Sequence, residues 1–263
     1  DIEYACLSHC WGHTRSKHIT CEENLEANLI GIPLAELPKT FKDAIKVTRA
    51  LKLRYLWIDS LCIVQNSKAD WATHVGAMAS IYESAHITLA AGASSDDDGG
   101  FFTDTPDIYA KPISFELGFG TQLHTIYVRR SVDHPDADWP AGEVLPLMKR
   151  GWCFQERLLA RRYICFGSKE VLWECREDVA CSCSLAEGPF NPRKPGDQAR
   201  FRDSPATKTQ LLSAQGDGAS LWQSLITEYT SRQLTYPNDK LPALAGLATA
   251  FEVSRTLRLY HSF

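Results

Sequence analysis

A parallel α/β fold is predicted by three features of the chain. Strand-like and helical stretches alternate in order from Tyr4 to Ala91, the strand-like stretches are short apolar runs, and the helical ones are amphipathic. Apolar strands of this kind belong to sheets covered on both faces, and alternation with helices makes the connections right-handed crossovers.

Tyr4–Ser8 (Y-A-C-L-S) is too short for a helix and reads as a buried strand. It runs into H-C-W-G, where Gly12 permits a sharp backbone turn. Ser8, His9 and Trp11 then lie at the strand's carboxyl end, where open α/β sheets bind ligands. Trp11 has a simpler alternative, an apolar plug over the sheet edge. A short helix or turn is predicted around Asn24–Leu29. Thr40 opens T-F-K-D, which resembles a capping box with Asp in place of Glu. Phe41, Ala44, Ile45, Thr48 and Leu51 follow at helical spacing and form a core-facing helix. Tyr55–Ile58 (Y-L-W-I) is the second strand, expected to be buried on both faces. Asp59 and Ser60 come at its carboxyl end, where Asp59 either caps the next turn or reaches a ligand hydroxyl. From Asp70 a second helix places Trp71, Val75, Met78 and Tyr82 on one face, with His74 among them as a packed or surface histidine. Ala85–Ala91 is the third strand.

Ser94–Gly100 (S-S-D-D-D-G-G) reads as a solvated acidic turn, since the ligand spacing of a calcium loop is absent. Lys111–Leu117 and Gln122–Arg130 alternate like strands around G-F-G-T and are expected to pair as a hairpin. The whole of 94–147 reads as an insertion before the next helix. That helix, Arg150–Arg161 (R-G-W-C-F-Q-E-R-L-L-A-R), sets Trp152, Glu156 and Leu159 on one face. A carboxylate one turn from a Trp is costly to desolvate unless compensated. Glu156 therefore either sits at the rim of a pocket or pairs with Arg157, Arg161 or Arg162 as a structural salt bridge. Two short strands, Tyr163–Phe166 and Val171–Glu174, follow. Asp178–Gln215 is rich in Ser, Pro, Gly and charge and reads as irregular, before helices at Leu221–Tyr229 and Leu241–Phe251. The chain thus divides into a core domain, 1–175, and a segment, 176–263, whose helices pack on it.

Composition narrows the function. The 263 residues carry a formal charge of −4, and no Lys/Arg run or basic patch interleaved with aromatics suggests nucleic acid. No apolar run approaches a membrane span, and nine cysteines, several inside apolar runs, fit reduced thiols of a cytoplasmic protein. Neither the group Cys175, Cys181 and Cys183 nor the group His9, Cys10, His13, His18 and Cys21 has the paired spacing of a zinc site, so no metal is expected. The chain begins at Asp1 without a methionine, which reads as a trimmed end and leaves targeting unread.

Several stretches, in order, resemble the fungal heterokaryon-incompatibility (HET) domain. They are Y-A-C-L-S-H-C-W-G at Tyr4–Gly12, L-P-K-T-F-K-D-A-I at Leu37–Ile45 and Y-L-W-I-D-S-L-C-I-V-Q at Tyr55–Gln65. Asp70–Tyr82 and G-W-C-F-Q-E-R-L-L at Gly151–Leu159 continue the match, and Leu234–Ala248 resembles the tail that follows the domain. His9-Cys10 and His74 depart from the usual pattern, which more often has an aromatic with a small residue, and an acid. The resemblance implies a role in non-self recognition and programmed cell death, in the company of sensor or regulatory domains and with self-association on activation. It also implies a TIR/flavodoxin-like sheet, because the domain has been likened to TIR domains. Leu7-Ser8-His9 and Ile58-Asp59 then stand where TIR domains end their first two strands, and W-C-F-Q-E-R-L at Trp152–Leu158 stands where they carry a W-C-x-x-E-L-like motif. The long insertion and Arg157 depart from that pattern. In TIR domains that cleave NAD⁺ the glutamate of this motif is catalytic, which maps to Glu156.

What that resemblance implies is NAD⁺, or a related nucleotide, as a substrate rather than a bound cofactor. No G-x-G-x-x-G or phosphate loop is present to hold a dinucleotide tightly. Glu156 would supply the negative charge, Ser8 and Asp59 would meet ribose hydroxyls, and Trp11 or Trp152 would stack a flat ring. Two rivals stand beside this reading. One is a non-enzymatic module acting through self-association. The other is a Cys–His hydrolase using Cys153 or Cys62, disfavoured because both thiols sit beside apolar residues.

Overall fold

The computed structural model describes residues 2–12, 18–130, 145–176, 179–182 and 218–261. Within them lies a six-stranded sheet in the order β2-β1-β3-β6-β7-β8, formed by β1 (Tyr4–Ser8), β2 (Tyr55–Ile58), β3 (Ile87–Ala90), β6 (Arg162–Phe166), β7 (Val171–Cys175) and β8 (Val179–Cys181). The first four in that order are parallel, while β7 and β8 add on antiparallel. This is the α/β fold expected, with the second, first and third strands in the doubly wound order of flavodoxin-like sheets. β8 was not foreseen, since a strand of three residues leaves no periodicity to read.

Burial follows position in the sheet. β1 and β3, in the middle, are almost wholly buried. β2 corrects the expectation of a strand buried on both faces, because it forms the edge and leaves Tyr55 51% exposed. Four apolar residues cannot reveal whether a neighbour lies on one side or two.

The two faces are covered by different helices. Ala5 and Leu7 pack with Phe41 and Ala44 of α2 (Lys39–Ala50), while Cys6 packs with Met78 and Tyr82 of α4 (Lys68–Ser84). The strand's alternation of side chains thus assigns each residue of β1 to one layer. Trp71, expected on the buried face of α4, is instead 39% exposed. Shorter helices α1 (Leu25–Ile30) and α3 (Asp59–Cys62) fall within the turns after β1 and β2, the first of them where a short helix was predicted. The capping box at Thr40 is not formed. Pro38 precedes the first turn of α2, and Thr40 serves elsewhere, its amide donating to the Asp97 carbonyl at 2.9 Å and its hydroxyl accepting from Gly100 N at 3.0 Å.

That contact corrects another expectation. The acidic turn after β3 docks on the first turn of α2, where Asp43 also accepts from Phe101 N at 3.0 Å, and it buries Ser94 and Asp97. Backbone donors and acceptors satisfied in this way allow a polar loop to be buried. Beyond it, α5 (Asp107–Ala110) leads to β4 (Ile113–Phe119) and β5 (Gln122–Val128), which pair with each other alone and are exposed along their whole length.

The crossover from β3 to β6 is made by α6 (Gly151–Leu159), so its amino end lies at the carboxyl edge of the sheet. α7 (Gly218–Thr230) and α8 (Pro242–His261) pack against it through Phe154, Leu158, Leu225 and Leu247. The approach is close at Gly246, where an added Cβ would fall 2.4 Å from Ala79 Cβ and 2.6 Å from Gln155 Oε1. Residues 131–144, most of the irregular segment 178–215, His13 and Cys183 lie outside the described residues.

Candidate functional site

Ser8 closes β1 on the same side as Cys6, facing α4 and α6 rather than α2. Its hydroxyl donates to Glu156 Oε2 at 2.5 Å, joining residues from opposite parts of the chain. Glu156 lies one turn before the end of α6 and is 4% exposed. Among the described residues this is the only hydrogen bond its side chain makes. Burial pushes its carboxyl up to about 7, and the nearby Asp59 carboxylate adds to the rise. The Ser8 hydrogen bond, the Arg150 guanidinium and His9 pull the other way.

The arginines expected to hold Glu156 do not. Arg157 Nε donates to Glu174 Oε2 of β7 at 2.8 Å, and Arg161 and Arg162 are exposed. On a helix the residue next to Glu156 points about 100° away, so Arg157 reaches the sheet instead. The cation of the site is Arg150, at the position just before α6, whose Nη1 donates to the His9 carbonyl. Burial alone would lower its affinity for a proton, but Cys153, Cys10, Glu156 and Asp59 outweigh that and raise it.

Asp59 follows the carboxyl end of β2 as the first residue of α3. Its Oδ1 accepts from Ser60 N at 2.8 Å as the chain turns into α3, and lies 3.8 Å from His9 Nδ1. His9 is buried, with Nε2 3.3 Å from Asp97 Oδ1 on its other side. Its ring stands edge-on to Phe41 and stacks with Trp11, centroids 6.4 Å apart. Gly12, at φ 86°, then turns the chain away. Trp11 is half-buried, and its indole N–H has no hydrogen-bond partner among the described residues.

Of the residues singled out in the sequence, Ser8, Asp59 and Glu156 come together, and Trp11 joins them through His9. Trp152 is held differently. Its indole N–H donates to Asp239 Oδ2 at 3.0 Å, and its ring packs against both the Met78–Tyr82 cluster and the Phe154–Leu247 cluster. His9 was placed at the strand's end with no role given to it, and Asp97 and Arg150 were missed. Arg150 was read as the first residue of that helix, whereas it precedes α6, and helical spacing from Trp152 gives no hint of what it reaches there. Asp97 was read as solvated because its neighbours are acids and glycines.

Neither thiol of the hydrolase reading is activated towards its thiolate. Burial pushes Cys153 well above the ordinary thiol range, and Glu156 adds to that. Cys62 is exposed as a residue, but desolvation of its sulfur still pushes its thiol up. Cys6, Cys10, Cys21, Cys62 and Cys153 are in no disulfide. No group of three or more His, Cys, Asp or Glu among the described residues is placed to hold a metal ion. No helix among them is long and apolar enough to cross a membrane.

Among curated proteins and among solved structures, none matches the chain. One family model does, described as heterokaryon incompatibility protein (HET), and it matches residues 4–156. The match begins with β1 and ends on Glu156, so it takes in Ser8, Asp59 and the carboxylate they surround. With more than half of its length matched in this way, the chain belongs to the heterokaryon incompatibility family.

Proposed function

We propose that this member of the family acts in non-self recognition and programmed cell death by cleaving the nicotinamide–ribose bond of NAD⁺, with Glu156 as the catalytic carboxylate. The observation that carries the reading is a buried carboxylate at the carboxyl end of β1, bonded to Ser8 rather than locked to an arginine. In the reaction the C1′–N bond breaks and its electron pair stays on nitrogen, so nicotinamide leaves neutral and needs no acid. Ionised Glu156 stabilises the oxocarbenium-like ribose left behind. Water then adds at C1′, and its proton passes to the carboxylate and on to solvent, giving ADP-ribose. Ser8 orients Glu156, Asp59 accepts from a ribose hydroxyl, and Trp11 stacks on a ring, since Trp152 is committed to Asp239 and the apolar clusters.

Glu156 is buried in the lone chain, so turnover is expected to be low until a partner or self-association opens the cluster. The test is NAD⁺ loss by purified protein at high concentration, with and without a crowding agent. Glu156→Ala is expected to reduce the rate by about 10²- to 10³-fold with its circular dichroism unchanged. An equally active variant sinks the assignment. Because Glu156 titrates at about 7 and must be ionised, the wild-type rate is expected to rise with pH through that value and level off above it.

The second reading, a module that triggers death by self-association alone, draws support from the β4–β5 hairpin. Phe115, Phe119, Leu123 and Tyr127 stand there between 51% and 75% exposed. Absence of NAD⁺ loss under every condition, with concentration-dependent growth in mass that Phe119→Lys abolishes, would favour it.

A further inference from the structure

The β4–β5 hairpin stands apart from the main sheet, and its register sorts its side chains into two faces. Residues directly opposite in an antiparallel pair share a face. Ile113 opposite Val128 and Phe115 opposite Ile126, with Leu117 and Phe119 beyond them toward the tip, make one face apolar, and all six are exposed. The other face carries Ser114, Glu116 and Thr125, yet Leu123 and Tyr127 stand exposed on it too. From Leu117 through the turn to Val128 there is no Asp, Glu, Lys or Arg. Charge gathers at the root instead. Arg129 and Arg130 follow β5 directly, and Arg130 N donates to Ile108 O at 3.3 Å. The Arg130 guanidinium and the Lys169 ammonium lie 5.6 Å and 5.5 Å from the centre of the Tyr109 ring. Asp107, the acid of α5, is held by Lys111 at 2.8 Å.

We infer that the hairpin is a membrane-contacting blade, whose tip enters the surface of an anionic bilayer while Arg129, Arg130 and Lys169 meet the lipid headgroups. The tip decides between a bilayer and a protein partner. A protein seated on the apolar face would leave Leu123 and Tyr127 in water, whereas a bilayer surrounds a thin tip on both of its faces. Seven residues in each strand make a blade about 23 Å long. Its outer part, with Leu117, Phe119 and Leu123, matches the depth of about 5–10 Å at which apolar side chains anchor peripheral proteins. Glu116, the one acid of the two strands, stands halfway along β4, at the level of the headgroups. The blade stops in the interface rather than crossing the hydrocarbon, because the outward-facing backbone groups of a lone hairpin need water. The root cations then lie where anionic headgroups attract them.

Sedimentation of the purified chain with lipid vesicles tests this, comparing phosphatidylcholine alone with phosphatidylcholine containing about 30% phosphatidylserine. Binding is expected on the anionic vesicles, about tenfold weaker on the neutral ones, and reduced in about 0.5 M salt. Phe119→Ser combined with Leu123→Ser is expected to lower partitioning onto anionic vesicles about tenfold or more, with circular dichroism unchanged. Arg129→Gln combined with Arg130→Gln is expected to lower it about tenfold and to flatten the salt dependence. Should the tip variant not fold, the chain with Ile113–Val128 replaced by a Gly/Ser loop takes its place and must lose binding. Absence of binding to anionic vesicles overturns the inference, as does full binding by the tip variant. Growth in mass without lipid that the tip variant abolishes, together with no vesicle binding, gives the hairpin to a second copy of the chain and overturns it as well. Vesicle binding reads the hairpin alone, so the proposed reaction at Glu156 stands or falls separately.

Discussion

At the scale of single residues, the chain keeps a carboxyl where ionisation is costly. A carboxyl raised in the folded state favours folding fully below its unfolded pKa, and that contribution is lost as pH rises through the folded value. For Glu156 the window runs from the ordinary value of 4.5 to about 7. Wild-type protein is expected to lose about 3 kcal/mol of unfolding free energy across it relative to Glu156→Gln. Urea denaturation of both proteins on either side of the window checks this, and parallel pH profiles would refute it. Ser8→Ala removes the hydroxyl that steadies the ionised form, so its penalty depends on pH. About 1.5–3 kcal/mol is expected where Glu156 is ionised, and clearly less where it is protonated.

At the scale of elements, α6 is held on every side by contacts that tolerate little change. Gly246→Ala would thrust a methyl group against Ala79 and Gln155, and is expected to cost about 1–3 kcal/mol, read as a lowered denaturation midpoint with an unchanged slope. The helices and strands themselves were legible, because their periodicity lies within a few residues of sequence: α2, α4, α6 and the first three strands all fall where apolar spacing puts them. What was hidden depends on distance along the chain. Ser8 meets Glu156 across 148 positions, and nothing in either stretch announces the other except the general rule that ligands gather at strand ends. The edge position of β2 and the docking of the acidic turn on Thr40 are likewise facts of packing, which a string of residues does not encode locally.

At the scale of the whole molecule, two regions stand in contrast. The β4–β5 hairpin pairs with no strand of the main sheet, so replacing Ile113–Val128 with a short Gly/Ser loop is expected to change stability by under about 1 kcal/mol. A large loss of stability would mean that the hairpin belongs to the core after all. The late helices are the opposite case. Gly151 N donates to Gln233 O at 2.8 Å and Gln233 N to Lys149 O at 2.6 Å, while Arg232 Nη1 donates to Met148 O at 2.6 Å. These bonds splice the turn after α7 onto the start of the helix that carries Glu156. The family match stops at Glu156, but the cooperative unit does not. Fragment boundaries drawn at the match would leave the first turn of α6 without its brace. In hydrogen-exchange terms, the Gly151 and Gln233 amides should open together, so any tug on the late helices would be felt at the glutamate as a change in how long it stays in place.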